Sequence, residues 1–506
     1  MHDDILNTKD CGVCDRHAAE NGVSGESLMA RAGAAVARAI RERWAPRETV
    51  VLCGPGNNGG DGFICAAALR EAGWPVRVCQ MGRQDKLKGD AAWAAGIWHG
   101  TPERAAPAVF DRADLIVDAL FGAGLNRPPE GEAAELISAI ARRNVPVVAI
   151  DLPSGVSGDR AQADGAVAAA GLTVTFHRRK PAHILEPAAS LCGEVVLADI
   201  GIPASWRDAV SPCARENGPQ LWFAGLPAAR TGDHKHARGR LAVFSGGASS
   251  TGAARLAARA GLRAGAGLVT LASPPSALIV NASASTAVMV RRWADPAATD
   301  ALLEDLCADA AVLGPAMGVG ERTREAVVSA VRTDAALVLD ADALTSFEAA
   351  PEELFAVLRP GDVLTPHPGE FRRLFPDIAG RDDLNRIEAA AMAAGRAGCC
   401  VLLKGPDTVI AAPGHLPVVN RHASPALATA GSGDVLAGLI GGLAAQGVGG
   451  FDAACAAAWL HGDCGLRLGT GLIAEDLADI LPERLGTLHR TMQRQRALGH
   501  LIAHKS

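Results

Sequence analysis

Short β-branched runs alternate with alanine-rich, helix-favouring stretches along almost the whole chain, and this rhythm constrains the fold more than any other feature. The first half carries TVVLC, PVRVCQMG, LIVDALFG and VPVVAIDLP; the second carries RLAVFSGG, AAVLGPA, ALVLDADAL, VLTPH and CVLLKG. Apolar strands separated by helices are the pattern of βαβ units, which build mostly parallel sheets. In such sheets a ligand lies outside the carboxyl ends of the strands, and the Gly, Asp and Asn residues of this chain gather at those predicted ends. The chain has 506 residues, more than one core supports, because single cores stop growing near roughly 250–300 residues. Two α/β domains are expected, the first a Rossmann-like three-layer α/β/α domain. The segment from Ala198 to His234 is rich in Pro, Gly and charge and shows no helical or strand period. It places a linker at residues 206–228, between a first domain over 1–205 and a second over 229–495.

Composition then excludes several classes of ligand. Hydrophobic residues make up 49% and charged residues 21%, so the chain can build cores rather than remain disordered. Its formal charge of -6 offers no general attraction to nucleic acid or anionic membranes. With no Tyr and 4% aromatics, platforms for stacking single-stranded bases are scarce. The basic C-terminal stretch RTMQRQRALGHLIAHK reads as a solvated terminal helix. Twelve cysteines lie mostly in apolar runs, where a thiol acts as a small buried hydrophobe and a reducing compartment is implied. Cys11 and Cys14 form a CxxC without the further ligands a zinc site needs. The polar, acidic start MHDDILNTKD shows no signal or transit pattern, and the apolar run from Val435 is too short to span a bilayer. A cytoplasmic protein is expected, without nucleic-acid or membrane partners, and a homo-oligomer.

In the first half, GPGNNGGDG follows strand VVLC and formally contains G-x-G-x-x-G at Gly54, Gly56 and Gly59. The usual acid at the end of the next strand is replaced by Gln80, and Asp61 in the loop would repel a pyrophosphate, so a standard dinucleotide cofactor site is disfavoured. Instead Asn57, Asn58, Asp61, Asp118, Asp151 and Ser154 bring side-chain oxygens to predicted strand ends. These are ordinary turn residues taken singly; together they suit a hard cation or a hydroxylated ligand. GPGNNGGDG, DALFGAG and DLPSGV, followed by TFHRRKPAH and DIGIP, resemble the successive signatures of the NAD(P)H-hydrate epimerase family. The resemblance implies that Asn57, Asn58, Gly59, Gly60 and Asp61, then Gly122, Ala123, Gly124, Leu125, Asn126, Arg127 and Pro128, and finally Asp151 contact hydrated NADH or NADPH. It further implies that Asn58, Asp118 and Ser154 bind a potassium ion. Asp151 is the candidate acid or base. Ala182 stands where the family prefers Gly.

In the second half, ATAGSGDVLAGLIGGLAA places a glycine-rich turn at the start of a helix, where backbone N–H groups make an anion hole and Asp434 is poised as a general base. GSGD with the upstream LLKGPDTVI resembles the ribokinase-like superfamily. DHKHARGRLAVFSGG, STGAARLAARAGLRAGAGLV, LGPAMG, VLDADAL and LTPHPGE narrow the resemblance to its ADP- or ATP-dependent NAD(P)H-hydrate dehydratase branch. By that resemblance Ala253, Gly318, His367 and Asp434 contact the hydrated substrate, while Lys404, Gly405, Pro406, Asp407, Thr408 and Gly433 hold ADP, with Mg2+ accompanying the nucleotide. His367, between two prolines, is alternatively a residue that orders a rigid turn, and His234 and His236 read as surface residues. Ala423-Ser424-Pro425 replaces the Gly-Asn-Pro-like run of the family. The implied activity is epimerisation of hydrated NADH and NADPH followed by nucleotide-dependent dehydration. A small-molecule kinase fused to a non-catalytic binding domain is the rival reading.

Overall fold

A computed structural model describes residues 3–125, 127–227 and 234–503, with side chains through Arg494. The chain separates into two compact units, Met1–Arg215 and Glu216–Ser506. The segment read as a linker is built into them. Trp206, on the short turn Ala204–Asp208, is buried with Leu6 and Cys14 of the first unit. Trp222, ending the short helix Pro219–Trp222, is buried in the core of the second and donates its indole N–H to Asn217 Oδ1 at 3.0 Å. These indoles supply the ordering force that a search for periodicity cannot detect.

The predicted runs form the strands. In the first unit the parallel sheet runs Glu103–Arg104, Val76–Gln80, Thr49–Cys53, Leu115–Ala119, Val147–Ile150, Leu172–Phe176 and Glu194–Ala198. Alternate residues of one strand enter opposite cores. Val51 and Cys53 face Val36, Ile40 and Phe63, whereas Val50 and Leu52 face Phe110, Leu136 and Ile140. Two covered faces explain why these strands read as continuous apolar runs. The chain steps outward from Thr49–Cys53 in one direction and then returns to Leu115–Ala119 on its other side, so the order reverses between these two strands. A crevice opens beyond their carboxyl ends.

The second unit repeats the device. Its sheet runs Val418–Asn420, Thr408–Ala411, Cys400–Leu403, Val363–Leu364, Ala336–Leu339, Ala310–Leu313, Arg240–Phe244, Leu268–Ser273 and Met289–Arg292. The first two strands pair antiparallel and the rest parallel. Here the order reverses between Arg240–Phe244 and Ala310–Leu313. Over the sheet lies the helix Ser432–Ala444, crossing Gly252–Ala264 with backbones in contact: a Cβ at Gly438 would lie 2.1 Å from Ala257 O, and one at Gly442 would lie 2.5 Å from Gly261 O. The apolar run from Val435 is therefore a core helix of the protein. No helix among the described residues is long and apolar enough to cross a membrane.

Candidate active sites

At the first reversal of strand order, a cavity of about 1510 Å³ opens beside the helix Asn57–Glu71. This exceeds the roughly 300–1,000 Å³ of a site for an ordinary small molecule. Asn57, Asn58, Asp61, Gly122, Ala123, Gly124, Leu125, Arg127, Pro128 and Asp151 line it. Gly59 and Gly60 lie beneath the lining: a Cβ at Gly59 would meet Gly54 O at 2.0 Å, and one at Gly60 would meet Met29 Sδ at 2.6 Å. Without a side chain, Gly59 lets the helix start close on the turn after Thr49–Cys53, and Gly60 lets it close on Met29 of the helix Gly25–Arg41. Asn126 lies outside the described residues.

Asp118 and Ser154 form a fully buried floor below the cavity. Ser154 donates from its backbone N–H to Asp118 Oδ2 at 2.8 Å and from its hydroxyl to Oδ1 at 2.7 Å. The Ser154 oxygen in turn accepts from Phe121 N–H at 2.9 Å. Burial raises the proton affinity of Asp118, against the pull of the Ser154 bonds. Among the described residues no lysine or arginine pairs with it. Nearby, Asn58 Nδ2 is buried without a hydrogen-bond partner, and a Cβ at Gly122 would lie 2.9 Å from Asn58 Oδ1.

Asp151 takes the left-handed conformation, φ 64°, strained for a non-glycine residue and characteristic of functional loops. Its carboxylate accepts from Ala123 N–H at 3.0 Å, Thr175 Oγ1 at 2.9 Å and Lys180 Nζ at 2.6 Å. Its carbonyl accepts from His183 Nε2 at 2.7 Å, and His183 Nδ1 accepts from Lys180 N–H at 2.9 Å. Burial works against the Asp151 charge, but Lys180 and His183 outweigh it and hold the carboxyl at about 2. Asp61 is the opposite case: burial first, then the facing charges of Asp151 and Asp15, push its proton affinity well above the usual carboxylate range. Two carboxylates of the same cavity are thus shifted in opposite directions, Asp151 down and Asp61 up. Such divergence separates acid from base.

Sequence reasoning gave no role to Lys180, Thr175 or Asp15. Lys180 was visible inside TFHRRKPAH, but three consecutive basic residues conceal which one turns inward. Asp15 lies on the helix Thr8–Glu20, far from any motif, and no local signal marks it.

In the second unit the turn opening Ser432–Ala444 has Gly431 at φ 86°, a left-handed N-cap that requires glycine. A Cβ on Gly433 would lie 3.7 Å from Lys404 Nζ and 4.0 Å from Asp340 Oδ2, so the lysine and the second carboxylate stand over the free amides of the helix start. Lys404 Nζ bonds Asp340 Oδ1 at 2.7 Å, with Glu370 Oε2 at 4.0 Å. Burial, the repulsion of Asp340 and that of Asp342 together raise Asp434 to about 6, against the pull of Lys404. Asp342 accepts from Gly318 N–H at 2.8 Å, tying the LGPAMG and VLDADAL loops together. Asp340, Asp342 and Glu370 carried no role in the sequence reading. The strand-end signal that selected Asp118 after LIV would equally have selected Asp340 after LVL.

Other predicted residues divide. His367 caps the helix Pro368–Leu374: its Nδ1 accepts from Gly369 N–H at 2.8 Å while its own N–H donates to Glu370 Oε2 at 2.7 Å. It orders a turn, and half of its side chain remains exposed. Asp407 is buried in an ion pair with Arg386 at 2.9 Å and Thr408 closes the loop by donating to Gly405 O at 2.8 Å, so these two shape the LKGPDT loop. Pro406 at the loop tip is exposed, and Ala253 is half-buried in the first turn of Gly252–Ala264. His461 was unforeseen: it is buried behind the turn, its Nε2 unpartnered, and burial lowers it to about 4. Cys11 and Cys14 share one helix as free thiols, and His234 caps a short exposed turn.

The cavity of the first unit and the glycine turn of the second, each with shifted carboxylates and a buried or half-buried lysine, mark the two candidate sites of an α/β enzyme. The family model for NAD(P)H-hydrate dehydratase matches residues 241–483, and that for the YjeF-related protein N-terminus matches residues 25–182. The bifunctional NAD(P)H-hydrate repair enzyme Nnr of Moorella thermoacetica is 36% identical over 97% of this chain and 98% of its own. The Nnr enzyme of Escherichia coli is 33% identical over 92% of this chain and 91% of its own. A crystal structure of the ADP/ATP-dependent NAD(P)H-hydrate dehydratase of Bacillus subtilis, co-crystallised with ATP/Mg2+, is similar at 27% identity and a TM-score of 0.47, covering 54% of this chain and 97% of that one. The chain belongs to the family of bifunctional NAD(P)H-hydrate repair enzymes. Because the relatives match along both halves, a kinase fused to a non-catalytic domain is not favoured.

Proposed function

We propose that this protein returns hydrated NADH and NADPH to their active forms. The first unit interconverts the R and S hydrates, and the second dehydrates the S hydrate at the expense of ADP. The observation that carries the reading is the junction of Asp434, Lys404 and the Gly431–Gly433 amides at one helix start. There a carboxylate near neutrality faces a built anion site. A ring hydroxyl is a poor leaving group and phosphate a good one. Asp434 accepts the hydroxyl proton as the oxygen attacks the β-phosphorus of ADP; the bond to the bridging oxygen breaks and AMP leaves. The turn amides and Lys404 stabilise the charge on the transferring group. Cleavage of the ring C–O bond then expels phosphate, and loss of a neighbouring ring proton to water restores NADH or NADPH. Magnesium bound with the nucleotide offsets phosphate charge. It would draw most of its ligands from phosphate and water, since the described residues hold no group of three His, Cys, Asp or Glu side chains able to bind a metal. Ala253, Gly318 and His367 border the hydrated ring, and the 404–408 loop borders the nucleotide. Incubating both hydrate epimers with ADP and following reduced cofactor tests the whole reading.

In the first unit, Asp151, pinned by Lys180 at the cavity wall, is the candidate acid or base, and Asp61, whose proton affinity burial raises, lies beside it as a substrate contact. Asn57, the 122–128 loop and Arg127 hold the dinucleotide. The buried Asp118, without a lysine or arginine partner among the described residues, fits a monovalent cation bound by oxygens of Asn58, Asp118 and Ser154. Held there, potassium would balance the Asp118 charge and stiffen the loops that carry these residues. Desalted enzyme is expected to interconvert the epimers slowly until potassium is restored, with a bulky organic cation ineffective; rates indifferent to the cation count against this site.

ADP is expected to outperform ATP as phosphoryl donor, as the resemblance to fused two-domain bacterial members of the family implies. Initial rates at saturating ADP and saturating ATP decide it, and a clear preference for ATP overturns the assignment.

A further inference from the structure

Asp340 is the polar group of the second unit for which the reaction above gives no role, although it is the one most closely joined to those that have one. It ends the strand Ala336–Leu339, is buried, and bonds Lys404 Nζ through Oδ1 at 2.7 Å. Its other oxygen reaches toward Gly433, where a Cβ would lie 4.0 Å from Oδ2. The next residue, Ala341, is left-handed at φ 49°. That reversal turns Asp340 toward Lys404 while Asp342 turns to the Gly318 amide. A long, flexible ammonium has many rotamers, and the one that stands over the turn is selected by this bond.

We propose that Asp340 is a positioning residue of the dehydratase, acting on both sides of the transfer: it holds the Lys404 ammonium over the Gly433 amides and presses a second negative charge against Asp434. The inference rests on the dehydratase reading of this site. The groups facing Asp434 are Asp340 and Asp342 from the loop after Ala336–Leu339 and Lys404 from the end of Cys400–Leu403; Glu370 and His367 stand behind Lys404, and His461 behind the turn. Of these, Asp340 and Lys404 act on Asp434 with opposite sign.

Opposite signs give the test. In full-length wild-type enzyme the dehydration rate falls as pH drops through about 6, where Asp434 takes up a proton. Asp340→Asn removes a repulsion and leaves Lys404 unshared, so the acid limb moves to lower pH while KM for ADP rises. Lys404→Gln leaves Asp340 unopposed, so the acid limb moves to higher pH. Thermal melting of the same preparations, followed by circular dichroism, reports that the second unit of each variant is folded, and epimerisation of an isolated hydrate reports the first. If Asp340→Asn does not fold, Asp340→Glu, which keeps the charge but displaces it, is read for a raised KM with an unmoved limb. Limbs that stay in place, or that move in the same direction in both charge-removing variants, overturn the proposal. A wild-type enzyme that forms no reduced cofactor from hydrate and ADP overturns instead the reading on which it rests.

Discussion

Replacing Asp434 by asparagine is expected to slow dehydration by about 10²–10⁴-fold, the usual contribution of a positioned general base, and to leave epimerisation unchanged. The substitution is nearly isosteric, so the left-handed turn at Gly431 and the core packing of the helix persist. What disappears is the proton acceptor. A mixed pool of both epimers with ADP then yields almost no reduced cofactor, whereas a single purified epimer still relaxes to the mixture. Nucleotide binding, followed by calorimetry, persists because Lys404 and the turn amides are untouched. Retained dehydration would mean that Asp434 only caps the helix and that another group removes the proton.

The second large effect is expected from Lys180→Met. Lys180 and Asp151 are paired deep inside the first unit, with 4% and 13% of their side chains exposed. Removing one partner of a buried pair leaves an uncompensated charge, at a cost of about 3–5 kcal/mol. The first unit should unfold at markedly lower denaturant, and epimerase activity should be lost. Asp151→Asn added to Lys180→Met should recover much of the stability, because no lone charge remains, without recovering activity. The pH dependence has a definite sign. Asp151 is depressed by its partners, so the stability it contributes is fully present above the ordinary carboxylate value of about 3.9. It is lost only as pH falls through about 2. A Lys180→Met protein as stable as the parent would show that the pair contributes nothing net.

The strands were legible in the sequence because both faces of each sheet are covered, so that neighbouring residues such as Val50 and Val51, which point to opposite faces, are both apolar and the run is unbroken. The glycine-rich loops were legible for a similar reason: Gly54, Gly59 and Gly431 stand where a Cβ has no space or the backbone is left-handed. Residues that act through long-range pairing were not. Lys180 reaches Asp151 across 29 positions and Lys404 reaches Asp340 across 64, separations that no window of periodicity spans. Nor does a motif disclose charge state. Asp61 and Asp151 read alike as strand-end carboxylates, and only their surroundings raise the proton affinity of the first and lower that of the second.

The crossing of the Ser432–Ala444 and Gly252–Ala264 helices bears on any attempt to make this enzyme more heat-tolerant. An engineer would begin with glycines in helix interiors, since each costs about 1 kcal/mol relative to alanine. Here that intuition misleads. A methyl group at Gly438 or Gly442 would press on the carbonyls of Ala257 or Gly261, and one at Gly441 would lie 2.7 Å from Val312 Cγ2. The helix would have to lift from its bed, and its first turn is the anion hole that carries Asp434. Such variants would be less stable as well as slower, because a clash with a backbone carbonyl outweighs the helix propensity gained. A screen for melting temperature would reject them for the same clash that costs them activity.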